Sequence, residues 1–283
     1  MKKDKLHIHW YPGHIAKAER QLKEKLSLVD VVIEVRDARL PLSSSYANIE
    51  KLLGDKPRLL LLNKADLVEK TDLKNWVEYL KNTTACPVLI TEAKGGNDLS
   101  KVVNTAVDLS EPKIQALIAK GLLRRPARAV VVGMPNVGKS SIINKLTKSS
   151  KTKIGAKAGV TRQQQWVRIN PKLDLLDTPG IIPTRQDDQE QAVKLAFVSS
   201  VSENAYSPEP VAQALLDLLK IKYSDNISTY YKTEDLTLEN IALARNWIIK
   251  SENPDTLRTA QYVLKDFREG RLGKFILDEL PTE

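Results

Sequence analysis

Apolar residues in the first two thirds of the chain gather in short, nearly unbroken runs rather than alternating stripes. Residues 29–35, 58–62, 87–91 and 129–132 are such runs, rich in Val, Ile and Leu. Runs of four to seven residues with this composition read as strands buried on both faces of a parallel sheet. Helical spacing fills the intervals at 15–28, 44–53, 73–82 and 97–120, the last with a candidate break at Pro112. Strand and helix alternate, so the pattern predicts a doubly wound α/β sheet with right-handed crossovers. Beyond it, 140–147 reads as a helix and 148–162 as a loop rich in Lys and Gly. Residues 165–169 and 173–176, separated by Asn170-Pro171-Lys172, read as a hairpin that adds one antiparallel edge strand.

From Gln186 the strand signal stops. Residues 188–205 and 210–221 have helical spacing, Thr237 is placed to cap 238–250, and Asn253-Pro254 opens a helix with Leu257, Ala260, Leu264 and Phe267 on one face. That helix should end near Gly270 or Gly273. The expected organisation is an α/β domain over 1–185 and an all-helical domain over 186–283, which 283 residues at 42% hydrophobic content can support.

Charge divides the same way. Residues 1–185 carry 33 Lys/Arg against 18 Asp/Glu, or +15; residues 186–283 carry 11 against 17, or −6, giving the net +9. Any one lysine cluster can simply keep a surface soluble, but a domain at +15 points to a polyanion, and RNA is the expected partner. The apolar runs are far too short to span a bilayer, and no cysteine lies near either end to carry a lipid. With Cys86 alone no internal disulfide is possible. A soluble, cytoplasmic protein is expected.

The chemistry lies in two motifs set in an unusual order. Gly133-Met134-Pro135-Asn136-Val137-Gly138-Lys139-Ser140, between a predicted strand and a predicted helix, has the spacing of a phosphate loop. Its glycines let successive N–H groups turn toward a β-phosphate, Lys139 supplies charge to the β and γ oxygens, and Ser140, with Ser141 beside it, offers a hydroxyl to magnesium. Asp177-Thr178-Pro179-Gly180 follows the hairpin, so Asp177 could reach magnesium through water and the Gly180 N–H could meet the γ-phosphate. Thr161 in the basic loop is the candidate third magnesium contact. Asn63-Lys64-Ala65-Asp66 ends the run 58–62, where an aspartate can accept from guanine N1–H and the exocyclic amine. Lys64 would lie along the base, and Thr91-Glu92-Ala93-Lys94 would close over it. GTP and GDP are therefore expected ligands, yet the base reader precedes the phosphate loop by about seventy residues. That order indicates a circular permutation.

These motifs, with Trp10-Tyr11-Pro12-Gly13-His14 ahead of them, Asp37-Ala38-Arg39-Leu40-Pro41 after the first strand and 266–274 in the tail, resemble the circularly permuted GTPase family of ribosome biogenesis GTPase A. The resemblance implies a P-loop GTPase domain followed by a helical one. It implies a magnesium-dependent GTP hydrolase that assists assembly of the large ribosomal subunit and docks on its RNA. Off the ribosome a monomer is expected. The resemblance also implies potassium stimulation through Asn136, whose other reading is a turn residue satisfying local backbone. Ile181 stands where a water-orienting glutamine often follows D-x-x-G, so turnover alone should be slow. His14 is the candidate catalytic residue within the chain; it could equally cap the helix it enters or contact RNA. The alternative function is a GTP-gated RNA-binding module in which hydrolysis is incidental.

Overall fold

The computed structural model describes residue 8 and residues 12–92, 99–148, 166–176, 180–181, 188–250 and 252–281. In chain order the sheet-bearing part runs α1 (Pro12–Leu28), β1 (Val31–Asp37), α2 (Ile49–Leu53), β2 (Arg58–Asn63), α3 (Lys70–Thr84), β3 (Val88–Thr91), α4 (Ser100–Ala119), β4 (Ala127–Gly133), α5 (Lys139–Lys148), β5 (Trp166–Asn170), β6 (Leu173–Leu176) and β7 (Gly180–Ile181). The strands form one sheet in the order β3-β2-β1-β4-β6-β5, with β7 also pairing β4. All described pairings are parallel except β5 with β6. The hairpin turn is set by Asn170, whose side-chain oxygen accepts from the Lys172 N–H at 2.8 Å.

The unbroken apolar runs have a simple cause. Every residue of β1 and β2 is buried, because both faces of the central strands are covered. On one face Leu60 and Leu62 pack with Val68, Leu73, Trp76 and Leu80 around α3. Strand order reverses between β1 and β4, and a crevice at the carboxyl ends of strands on either side of such a reversal is where ligands of doubly wound sheets sit. Asp37 ends β1, Asn63 ends β2 and Gly133 ends β4.

Elsewhere the elements depart from the sequence pattern. The predicted 44–53 helix is confined to Ile49–Leu53, because Ser44 is used in a turn: its hydroxyl donates to the Leu40 carbonyl at 2.5 Å and accepts from the Asp37 N–H. Helix α4 runs through Pro112 without a break.

The helical part comprises α6 (Gln189–Phe197), α7 (Pro208–Tyr231), α8 (Leu238–Ala244) and α9 (Thr256–Arg268). Asp188, Thr237 and Asp255 cap α6, α8 and α9 by accepting from backbone N–H groups three residues on. Arg268 donates to the Ala196 and Phe197 carbonyls at the end of α6. The predicted 188–205 helix therefore ends early, and Ser199 turns left-handed at φ +60°. Asp266, buried, accepts from Tyr231 at 3.2 Å and pairs with Arg271 at 3.0 Å. By contact the chain divides into two units: Met1–Tyr11 with Gln186–Phe275, and Pro12–Arg185 with Ile276–Glu283. Among the described residues, 276–281, expected with the helical domain, thus fall in the unit that holds the sheet.

Candidate nucleotide-binding site

The phosphate loop leaves β4 and enters α5. Gly133 is required for close approach: a Cβ there would lie 2.4 Å from the Val35 carbonyl oxygen of the neighbouring strand. Gly138 is required twice over, since its φ is +103° and a Cβ would meet the Asn63 amide nitrogen at 2.1 Å. Asn136 between them is left-handed at φ +57°, a conformation asparagine tolerates. Val137 is fully buried.

Asn63 joins the permuted motifs. Only 1% exposed, it donates from Nδ2 to the Val137 carbonyl at 2.8 Å, 74 residues along the chain, and accepts from Thr91 Oγ1 at 3.3 Å. The end of β2, where the expected base reader begins, is therefore hydrogen-bonded to the phosphate loop. Lys64 is left-handed (φ +63°, ψ +38°), and its ammonium reaches Asp37 Oδ2 at 2.8 Å. After this turn Ala65–Leu67 form a single 3-10 turn, with Ala65 buried and Asp66 facing solvent.

Asp37 is the hub under Lys64. Fully buried, it is gripped by Arg39 through the Arg39 N–H at 3.1 Å and two guanidinium contacts at 2.9 Å. Burial alone would raise this carboxyl, but the charges of Arg39 and Lys64 hold it well below the usual carboxylate range. Its role was not legible in the residues; the signal lies in the register, which sets Asp37 opposite Asn63 across β1 and β2.

Lys139 is buried, and its ammonium donates to the Met134 carbonyl at 2.5 Å. Burial lowers its pKa to about 8. A poorly hydrated cation at the N-terminus of α5 favours an anion at that place.

A family model described as 50S ribosome-binding GTPase matches residues 128–247. Ribosome biogenesis GTPase A of Bacillus cereus is 36% identical, with 98% of this chain and 95% of that protein covered. The chain belongs to the ribosome biogenesis GTPase A family. The Thermotoga maritima protein of the same name is 32% identical over 94% of this chain and 92% of its own length. Mitochondrial GTPase 1 of Aedes aegypti is 31% identical over 96% and 94%. Among solved structures, GNP-bound YlqF from T. maritima has a TM-score of 0.66 at 28% identity, covering 93% of this chain and 97% of that one. GDP-bound YlqF gives the same score and identity over 92% and 98%.

This member of the ribosome biogenesis GTPase A family is thus a GTP hydrolase with a circularly permuted P-loop domain, and magnesium dependence is typical of such GTPases. Of the residues singled out in the sequence, Asn63, Thr91, Val137 and Gly138 come together as described, with Glu92 just past the end of β3. Pro135 and Asn136 form the turn of the phosphate loop, while Ser140 and Ser141 face solvent in the first turn of α5. Gly180 is in β7 and pairs Val132, one residue before the loop begins. Ala93, Lys94, Thr161 and Asp177 lie outside the described residues, so of the three expected magnesium contacts Ser140 alone is placed. His14 falls in α1, and its side chain lies outside the described part. Among the described residues no three His, Cys, Asp or Glu side chains gather as a metal site, and no helix is long and apolar enough to cross a membrane.

Proposed function

We propose that this GTPase is a cytoplasmic assembly factor for the large ribosomal subunit, which it binds through ribosomal RNA in a nucleotide-dependent way. The observation that carries the reading is the near-full-length similarity to relatives named ribosome biogenesis GTPase A. The +15 charge of residues 1–185 supports it, because a polycation gains affinity for RNA by releasing condensed counterions.

In this reading Asp66 accepts from guanine, and the Lys64 stem lies along the base with Thr91, Glu92, Ala93 and Lys94 closing beside it. Residues 135–141 wrap the phosphates. Ser140, Thr161 and Asp177 would hold magnesium, which would offset charge on the phosphates. Asn136 helps hold a potassium ion, and His14 orients the attacking water. The protein works as a monomer off the ribosome.

GTP turnover measured with and without large-subunit precursor, in potassium and in sodium, tests this. Strong stimulation by the particle and by potassium is expected. Equal rates with and without the particle would overturn the partner, and equal rates in the two salts would overturn the potassium role. If hydrolysis were incidental to RNA binding, a Lys139→Ala form would still complete subunit assembly in cells; failure to do so is expected.

A further inference from the structure

We infer that Asp278, in the C-terminal tail, is a positioning residue for guanine-nucleotide affinity, acting through the loop that holds Lys64. Asp278 is buried, at 7% exposed. Its Oδ2 accepts from the Leu42 and Ser43 N–H groups, both at 2.8 Å, and its Oδ1 accepts from the Ser43 hydroxyl at 2.5 Å. Successive backbone N–H groups converging on one carboxylate form a small anion nest, a strong way to pin a turn. One residue earlier the Leu277 N–H donates to the Arg39 carbonyl at 2.9 Å, and Ile276 packs on the apolar cluster beneath Asn63-Lys64-Ala65-Asp66.

The pinned turn is the one that builds the Lys64 anchor. Arg39, held by Leu277, is the residue whose guanidinium grips Asp37. Ser44, next to Ser43, accepts the Asp37 N–H at 3.0 Å. Asp37 in turn holds the Lys64 ammonium at 2.8 Å. Freeing the 40–44 turn would loosen Asp37 from two sides and give Lys64 and Asp66 a wider range of poses. Such disorder must be removed again when the base binds, so it appears as lost affinity. The phosphate end has its own anchors in Asn63 and Gly133, so the bond-breaking step should be spared.

The inference rests on Lys64 and Asp66 as the guanine contact, and the test separates the two ideas. Fluorescent GDP and GTP binding, KM and kcat are measured on full-length Asp278→Ala, Asp278→Asn, Ser43→Ala and Asp66→Ala. Asp278→Ala should raise Kd for both nucleotides, and KM with them, by about tenfold, with kcat at saturating GTP within about twofold of the parent. Asp278→Asn keeps one acceptor oxygen and should recover part of the loss, and Ser43→Ala should cost about two- to threefold. A folded Asp278→Ala with parental Kd and KM and only a lowered thermal midpoint would make the tail contact structural and overturn the inference. Should that variant not fold, parental affinity in both Asp278→Asn and Ser43→Ala overturns it equally. If Asp66→Ala keeps its preference for guanine over adenine nucleotides, the base-site reading itself has failed. If Asp66→Ala loses that preference while the Asp278 variants bind normally, the tail inference alone is wrong.

Discussion

The contact between Asn63 and the phosphate loop predicts a coupling that a double-mutant cycle can measure. Gly138→Ala places a methyl 2.1 Å from Asn63 Nδ2 on a backbone at φ +103°. The backbone strain is about 1–2 kcal/mol, and displacing Asn63 takes a hydrogen bond from the buried Val137 carbonyl, worth about 1–3 kcal/mol. Asn63→Ala alone removes the same 2.8 Å bond and costs about the same 1–3 kcal/mol. In the double variant the amide is gone, so the methyl has room, and the loss at Val137 counts once. The double should therefore cost about 1–3 kcal/mol less than the two singles added. These costs fall on nucleotide binding, because the loop must hold this backbone to cradle phosphates. Calorimetric titration with GDP reads them directly, each 1.4 kcal/mol being about tenfold in Kd. Strict additivity would refute the reasoning, since it would mean that residue 63 and the Gly138 backbone do not touch in the binding form.

Other expectations follow from single sites. Lys139→Ala should lower GTP turnover by about a hundredfold or more without unfolding the protein, because it removes the one buried lysine at the start of α5; turnover within tenfold of the parent would exclude its phosphate role. At Asp30, burial by itself raises the carboxyl, but hydrogen bonds from Arg125, Lys113 and the Arg128 N–H, with the charge of Arg125, hold it at about 2. A folded pKa below the unfolded value near 3.8 stabilises the protein above that value, and the stabilisation is lost as pH falls through about 2. Asp30→Asn should accordingly melt lower at pH 7 and lose less on going from pH 4 to pH 2; parallel melting profiles would contradict this. Tyr231→Phe breaks the hydroxyl contact to buried Asp266 while leaving Arg271 in place, so a stability loss of about 1 kcal/mol is expected by calorimetry.

What the residues determined alone is local chemistry and local burial. Continuous Val, Ile and Leu runs marked β1, β2 and β4 because strands covered on both faces have no polar side to show. The phosphate loop was legible because cradling an anion demands glycines, a lysine and a helix start at fixed spacing, whatever the fold around them. The reversed motif order could be read straight from the numbering. Helix ends were less legible. The 188–205 pattern stops at Phe197, whose carbonyl accepts from Arg268 71 residues away, while 210–221 ends close to Tyr223, whose non-helical φ of −135° and ψ of 24° break α7 before a second helical stretch runs on to Tyr231. The same holds at the site: Asn63 with Val137, Lys64 with Asp37, and Asp278 with Ser43 are separated by 74, 27 and 235 residues. A side chain's periodicity reports which face of its own element is buried, but not which distant partner meets it there. Only the strand order, which sets the carboxyl ends of β2, β1 and β4 side by side, and the return of the tail to the turn after β1 decided those pairs.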